Sequence, residues 1–390
     1  MIPGLDRVVP GCEAVFDAAE FDRRQALVRG DLAARDIDIL MVTGPENIFW
    51  LTGQQTPGYY TFQALLLPAE GEAVFVVRAL EALNLIAKSH LRQIEPYADD
   101  ADPVRVLVDT VQARGWGGKR IAIDERAWFL PIAVYKALLA ALGEVGDGSR
   151  LVETHRAVKS PAEIAKIETA AGYAQAGIAA GLDAVRAGAS ENDVVGAMMG
   201  AVIAAGSEYL GMEPLVASGP RSGVPHGTWR RRRLAPGDPI ILEMAGCHDR
   251  YHATLWRSAW LGQPPDLARR MMDCCLEALD AALAALRPGA TCAEVHGACQ
   301  AVVDRHGFTE NFRKRSGYSI GISFAPDWGE GNVLSLYHRV DVPIECGMVF
   351  HIPPALRDYG VFTVGVSETV VVTQTGNRVL STLDRDLRIV

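Results

Sequence analysis

One carboxylate in this chain sits where a carboxylate is costly. In the run Gly237–Arg257, GDPIILEMAGCHDRYHATLWR, Glu243 lies inside an otherwise apolar extended segment. Burying such a group is unfavourable unless it is paired or used. The run reads as a β-hairpin with arms Pro239–Ala245 and Tyr251–Leu261 and a polar turn at Gly246–Arg250, because β-branched and aromatic residues flank a cluster of turn formers. Side chains alternate along a strand, so Ile241, Glu243 and Ala245 share one face, and His252, Thr254 and Trp256 share one on the second arm. A glutamate so placed suits a general base or a nucleophile. A lone strand histidine such as His252 reads as structural. A second stretch, Pro326–Glu330, gathers Asp327, Trp328 and Glu330. Acidic and aromatic groups together suit a small cation, although Pro-Asp-x-Gly is also strong turn chemistry.

The elements that must position these residues divide into two groups. Residues 1–150 alternate helix and strand signals: an amphipathic helix at Glu20–Ala34, strands at Asp38–Thr43, Gln63–Leu67, Ala73–Val77 and Arg120–Asp124, and a helix at Pro131–Leu142. That alternation predicts an α/β layer domain. Between them lies a polar aromatic loop, Gln54–Tyr60. A boundary follows near 150–160, giving domains 1–155 and 156–390. Ser160, Pro161 and Glu163 form the start signal of a helix with a capping box. Helices are expected at Ala162–Ala187, Glu191–Ala205, Leu267–Leu286 and Cys292–His306, and strands at Gly347–Pro354 and Val364–Val372.

The frame of these motifs resembles the creatinase/aminopeptidase P family, also called the pita-bread or peptidase M24 family. Gly237-Asp238, Tyr251 and Arg257-Ser258 match the family's metal-site hairpin, and Lys159-Ser160-x-x-Glu163 matches the opening of its catalytic domain. The resemblance spans nearly the whole chain. It implies an α/β (α+β) fold, with a creatinase-like N-terminal domain followed by a pita-bread catalytic domain. It also implies where the family's metal ligands fall: on Glu243, Thr254, Tyr318 in Gly317-Tyr318-Ser319-Ile320-Gly321, Pro353 in Gly347–Pro354, and Glu368 in Ser367-Glu368-Thr369. A dinuclear site needs several anionic or imidazole ligands, and Thr254, Tyr318 and Pro353 are poor or impossible ones. The expectation is therefore a member without metal and without cofactor, similar to creatinase and to the ectoine-hydrolase branch.

What the resemblance implies for chemistry is hydrolysis of a non-peptide C–N bond in a small amidine-like, cationic or zwitterionic compound, with ectoine-type ring opening as the leading example. Glu243 then acts as nucleophile or base. His226 has the spacing to Asp238 expected of the creatinase acid/base, a role that suits imidazole. Glu368 orients the substrate, and two carboxylates in one pocket have their pKa values pushed apart. Tyr318, Asp327, Trp328, Glu330, Trp256, Thr254 and His351 are the expected substrate contacts. The family also places the loop after Asn47–Gly53 near a partner subunit's site, which brings in Tyr60, with Tyr59 and Trp50; Trp50 equally reads as core. The alternatives are a divergent Xaa-Pro dipeptidase holding one metal through Glu243, Glu368 and His226, a creatinase-type amidinohydrolase, and an inactive binding module. Trp256 stands where creatinase has a glutamate, which argues against creatine itself.

Composition agrees with a small-molecule enzyme. The 390 residues are 49% hydrophobic and carry a net charge of −9, which disfavours nucleic acid as a partner. The four arginines Arg230–Arg233 read as a solvated or salt-bridged loop, one of which could neutralise a substrate carboxylate. Seven cysteines without framework spacing predict reduced thiols and a cytoplasmic setting. No basic-then-apolar leader and no run of about 18 uncharged apolar residues is present, so no membrane partner is expected. A homodimer is carried from the family.

Overall fold

The computed structural model of the chain describes residue 4 and residues 7–390. The very start of the chain, on which part of the leader expectation rests, lies outside the described residues. The chain divides into two compact units, Met1–Arg156 and Ala157–Val390. No helix among the described residues is long and apolar enough to cross a membrane.

The first unit is a six-stranded mixed sheet of β1 (Ile39–Val42), β2 (Ala64–Pro68), β3 (Val74–Arg78), β4 (Gln93–Tyr97), β5 (Ile121–Ile123) and β6 (Gly146–Asp147), in the order β4-β3-β2-β1-β5-β6. Its helices are α1 (Ala18–Ala34), α2 (Pro45–Thr52), α3 (Ala82–Lys88), α4 (Pro103–Ala113) and α5 (Ile132–Leu142), with a short α6 (Glu153–Ala157) running to the boundary. Strand β4 and helix α4 carry no element in the sequence reading. Gln93–Tyr97 contains Glu95 and Pro96 and pairs only with β3, at the sheet edge, where proline is tolerated. Gly53, at φ 81°, closes α2 in the left-handed conformation that glycine adopts without steric cost. Trp50 belongs to the core: it is 2% exposed, and the Arg24 guanidinium lies 5.1 Å from its ring centroid. Tyr60 ends a 3-10 turn, Pro57–Tyr60, and is 76% exposed.

The second unit is built from two helix-pair-on-sheet halves. In one, α7 (Pro161–Ala184) and α8 (Glu191–Ala204) cover a sheet of β7 (Leu215–Ser218), β8 (Pro239–His248), β9 (Tyr251–Trp260) and β17 (Arg388–Ile389), ordered β17-β9-β8-β7. In the other, α9 (Asp266–Ala285) and α10 (Cys292–Arg305) lie against β10 (Gly317–Ser319), β11 (Ser335–Leu336), β12 (Val349–Ile352), β15 (Glu368–Thr373) and β16 (Gly376–Val379), ordered β11-β10-β12-β15-β16. A two-stranded ribbon, β13 (Ala355–Asp358) with β14 (Phe362–Gly365), completes the unit. Capping boxes start α7 (Ser160 with Glu163), α8 (Ser190 with Asp193) and α10 (Thr291 with Glu294), each satisfying backbone donors that a helix start leaves unpaired.

Two apolar cores hold these layers. Ile178, Val194, Met198, Leu242, Met244 and Leu255 fill the first half. Met271, Leu279, Val295, Phe350, Ile352 and Val370 fill the second. Full burial of such side chains stabilises by about 1.5–3 kcal/mol each. Helix α7 approaches β8 so closely at Gly246 that a Cβ there would lie 2.1 Å from the Ala170 carbonyl oxygen.

Two expected boundaries are corrected. The hairpin turn is not the five residues Gly246–Arg250, since the ladder continues to the pair His248↔Tyr251. Only Asp249 and Arg250 turn, at φ 48° and 64°, the two-residue geometry that matches strand twist. Val364–Val372 is not one strand. The chain leaves β14 at Gly365 and enters β15 at Glu368, and between them Ser367 Oγ accepts from Trp256 N–H at 2.7 Å. The stretch before it also ends early, because Pro353-Pro354 supplies no N–H to a ladder.

Candidate active site

The hairpin register fixes who faces whom. Glu243 pairs with Trp256 and Ala245 with Thr254, so these four lie on one face. Glu243 is 6% exposed, and among the described residues nothing donates a hydrogen bond to its carboxylate. Burial pushes its pKa up to about 7, against the opposing pull of Lys314 and Arg357.

Those two cations are the residues the sequence reading missed. Lys314 precedes β10 and donates from Nζ to the Pro353 carbonyl at 2.6 Å, with Nζ 5.8 Å from the Trp256 ring centroid. Burial brings its pKa down to about 7, aided by Arg357 and opposed by Glu243. Arg357, on β13, has its backbone held by Asn311 at 2.7 Å. Its Nε is buried without a partner, and its pKa is lowered by burial with Glu243 pulling the other way. In sequence, Lys314 sits between Arg313 and Arg315 and reads as part of a solvated basic run; Arg357 sits in an unremarkable ALRD strand. Neither carries a motif that would single it out.

His226 joins this group electrostatically. It occupies a left-handed position, φ 55°. Although the residue is exposed, its ring is desolvated, and its pKa is lowered first by that, then by Arg357 and Lys314, with Asp327 opposing. The preceding turn is anchored through Thr363 Oγ1, which donates to the Ser222 carbonyl at 2.6 Å. Buried Glu191 pins the same loop by accepting from Ser218, Arg221 and the Arg230 backbone. In the arginine run, Arg232 grips Asp238 with both Nη atoms and Arg233 donates to Gly188. In the basic loop Arg232 is thus the salt-bridged arginine, and the arginine that acts on Glu243 is Arg357.

Tyr318, on β10, is the centre of a buried polar chain. Trp328 Nε1 donates to its hydroxyl at 3.0 Å, and the hydroxyl lies 2.9 Å from His351 Nδ1. His351 Nε2 is buried without a partner, and burial holds the imidazole far below its usual pKa, hence neutral. Burial and the charge of Glu243 raise the pKa of Tyr318, so the phenol stays protonated. Thr254 Oγ1 is likewise buried and unpartnered, while its backbone exchanges hydrogen bonds with Thr369 Oγ1 at 3.0 and 2.9 Å. Trp256 packs with Ala217, Ile241 and Ala355, its indole N–H donating to Ser258 Oγ at 3.2 Å. His252 is structural: Nε2 accepts from Gly211 N–H at 3.0 Å, so Nδ1 carries the proton toward the Arg250 carbonyl.

Three expectations change. Asp327, Trp328 and Glu330 do not gather into one acid–aromatic cluster. Asp327 is exposed and accepts from the backbone of Trp328 and Gly329, the turn chemistry of its motif. Glu330 is buried and ion-paired with Lys159 at 2.7 Å, while also accepting from Ile322 N–H. Trp328 faces Tyr318. Second, Glu368 arrives already neutralised: Oε1 accepts from Arg257 at 2.8 Å and Arg385 at 3.0 Å, leaving only Oε2 unpartnered and buried. Third, the charges around Glu243 are two cations rather than a second carboxylate. Tyr60 lies on the first unit and Glu243 on the second.

Known proteins share this architecture and sequence. Residues 165–374 match the metallopeptidase family M24, and residues 23–158 match the creatinase/prolidase N-terminal domain. An ectoine hydrolase of Halomonas elongata is 30% identical over 395 residues, covering 95% of this chain and 98% of that one. A prolidase structure from Thermococcus sibiricus superposes with a TM-score of 0.87 at 20% identity, covering 96% of this chain and all of that one (100%). A dipeptidase structure from Mycobacterium ulcerans gives 0.82 at 24% identity, covering 96% and 99%. These structures establish the shared pita-bread fold.

The family's description implies metal ions, and such ions set requirements on the donor set. Divalent metals of this kind call for several carboxylates or imidazoles converging on one point. Among the described residues, no three His, Cys, Asp or Glu side chains are placed to hold an ion. Glu243, whose carboxylate accepts no hydrogen bond among the described residues, lies in the field of Lys314 and Arg357, which would repel a cation. The residues present do not fit the metal centre. Sequence and fold together nonetheless place the chain, as a hydrolase, in metallopeptidase family M24, with a creatinase/prolidase N-terminal domain ahead of its pita-bread domain.

Proposed function

We propose that this protein is a metal-independent hydrolase of a non-peptide C–N bond in a small amidine-like compound, with opening of an ectoine-type ring as the leading case. The observation that carries this is that Glu243 lies in the field of two cations, with no further anions, at the place where the family's ions would need them. Similarity to the Halomonas elongata ectoine hydrolase over 95% of the chain supports the substrate class.

Glu243, poised near neutrality, has the basicity a general base needs at physiological pH. A water bound beside it loses a proton to the carboxylate and attacks the amidine carbon. A C–O bond forms, the C–N bond breaks, and the proton taken up by Glu243 is relayed through His226 to the leaving nitrogen, which returns both side chains to their starting states. Direct attack by the carboxylate, followed by hydrolysis of the ester formed, gives the same products. The protonated Tyr318 hydroxyl and neutral His351 orient the reacting group. Glu368, fixed by Arg257 and Arg385, acts from behind this layer through its remaining oxygen. Proton transfer contributes about 10²–10⁴-fold, and orientation and charge complementarity supply the remainder. The active form is a cytoplasmic homodimer in which the exposed Tyr60 of one subunit closes over the site of the other. Seven cysteines, all free thiols, are compatible with that reducing setting.

The test is turnover of ectoine, hydroxyectoine, creatine, hydantoins and an Xaa-Pro dipeptide, with and without a chelator, followed by mass spectrometry. Chelator-insensitive opening of a cyclic amidine is the expected result. Chelator-sensitive release of proline would make the protein a metal-retaining dipeptidase instead.

A further inference from the structure

The arginines at 230–233 divide into two that the fold uses and two that it does not. The segment Arg232–Leu234 runs against the start of α8. There Glu191 N–H donates to the Arg232 carbonyl at 2.9 Å, and Leu234 N–H donates to the Ala189 carbonyl at 2.7 Å. Arg232 is ion-paired with Asp238 at 2.5 Å, and Arg233 donates to the Gly188 carbonyl at 2.8 Å. The side chains of Arg230 and Arg231 are exposed, and among the described residues neither makes a hydrogen bond or an ion pair. Glu191 does not serve them. It is fully buried and already accepts from Ser218 Oγ at 2.7 Å, Arg221 at 2.5 Å and the Arg230 backbone N–H at 2.5 Å. Both unspent guanidiniums line one recess of about 310 Å³, whose wall is completed by Asn192, Glu213, Thr228 and Trp229. None of these residues belongs to the group around Glu243. Small-molecule sites begin at about this volume. Trp229 is half-buried and packs against the apolar core of the first half, so its indole is held in place.

The lining sets the features of a ligand one by one. Arg230 and Arg231 against Glu213 leave one positive charge, which a single negative charge closes. A phosphate monoester, with about two negative charges near neutral pH, would overshoot and be repelled by Glu213. Guanidinium forks suit the two coplanar oxygens of a carboxylate. An indole favours a flat π-system beside it. Glu213 only accepts, so it suits an N–H or O–H at the far end of the ligand. We propose that Trp229, Arg230 and Arg231 form a binding site for a planar aromatic monocarboxylate, sharing no residue with the recess around Glu243.

Calorimetric titration of the full chain with benzoate, 4-aminobenzoate, 4-aminobenzamide, cyclohexanecarboxylate and inorganic phosphate separates these features. It needs no turnover, so its result is independent of the hydrolase reading. Wild type is expected to bind 4-aminobenzoate about 10-fold or more tightly than the uncharged 4-aminobenzamide, as loss of a charge-assisted hydrogen bond implies. Cyclohexanecarboxylate, which keeps the charge but not the flat ring, and phosphate should both bind more weakly. Arg230→Gln and Arg231→Gln should each weaken 4-aminobenzoate binding about 10-fold, with thermal unfolding unchanged because the fold makes no use of either guanidinium. Glu213→Gln should narrow the preference for 4-aminobenzoate over benzoate. Silence of wild type toward both aromatic carboxylates, binding that survives Arg230→Gln combined with Arg231→Gln, or equal affinity for cyclohexanecarboxylate or phosphate would overturn the site.

Discussion

Nζ of Lys314 lies 2.6 Å from the carbonyl oxygen of Pro353, the residue standing where the family resemblance puts a metal-binding glutamate. The side-chain carboxylate has gone, and a backbone carbonyl holds a cation in its place. A charge that a metal would bring to the site is thereby built into the chain. It comes with a fixed position but without a vacant coordination site, which changes what Glu243 faces.

Replacing Glu243 with Gln should lower turnover about 10²–10⁴-fold, the usual worth of a general base, and should change stability in a pH-dependent way. The folded pKa of Glu243 is raised from 4.5 to about 7. The stability it contributes is therefore fully present below about pH 4.5 and is lost as pH rises through 7. Urea denaturation should find Glu243→Gln more stable than wild type at pH 8 by up to about 3 kcal/mol, with the difference vanishing near pH 4.5. A variant less stable at pH 8 would mean that the carboxylate is satisfied in solution.

Removing the Lys314 charge should move the acid limb of the rate profile. The ammonium lowers the pKa of Glu243. Lys314→Met should consequently shift the rise of kcat/KM with pH to higher pH than in wild type. Profiles that superpose would place the lysine outside the field of the base.

Tyr318→Phe removes the oxygen shared by Trp328 Nε1 and His351 Nδ1. Two buried polar groups then lose a partner, so stability should fall by about 1–3 kcal/mol, measurable by chemical denaturation. A neutral effect would indicate that water replaces the hydroxyl.

The Lys159–Glu330 pair is buried on both sides, at 2% and 1% side-chain exposure. Lys159→Met leaves an uncompensated carboxylate and should cost about 3–5 kcal/mol, whereas Lys159→Met with Glu330→Gln should cost clearly less. Equal losses in the single and double variants would show that packing, not charge, governs the pair.

Much of the scaffold was legible in the chain. Local signals announce themselves locally: the capping box of Ser160 and Glu163, and the alternation that puts Glu243 on one face with Ile241 and Ala245, are set by neighbours in sequence. The frame of glycines and Arg257-Ser258 likewise carries the family. What the chain alone did not reveal are pairings over long separations. Glu330 looked available until Lys159, 171 residues away, was seen to neutralise it. Glu368 carries no sign in sequence that Arg257 and Arg385 both donate to one of its oxygens. Lys314 and Arg357 carry no sequence motif, and only folding brings their charges to bear on Glu243. The amino-acid sequence determined which strands and helices form, because periodicity and capping act over a few residues. Only the tertiary structure decided which charges are spent on one another and which are left for a ligand, because electrostatic partners are set by distance in space and by burial.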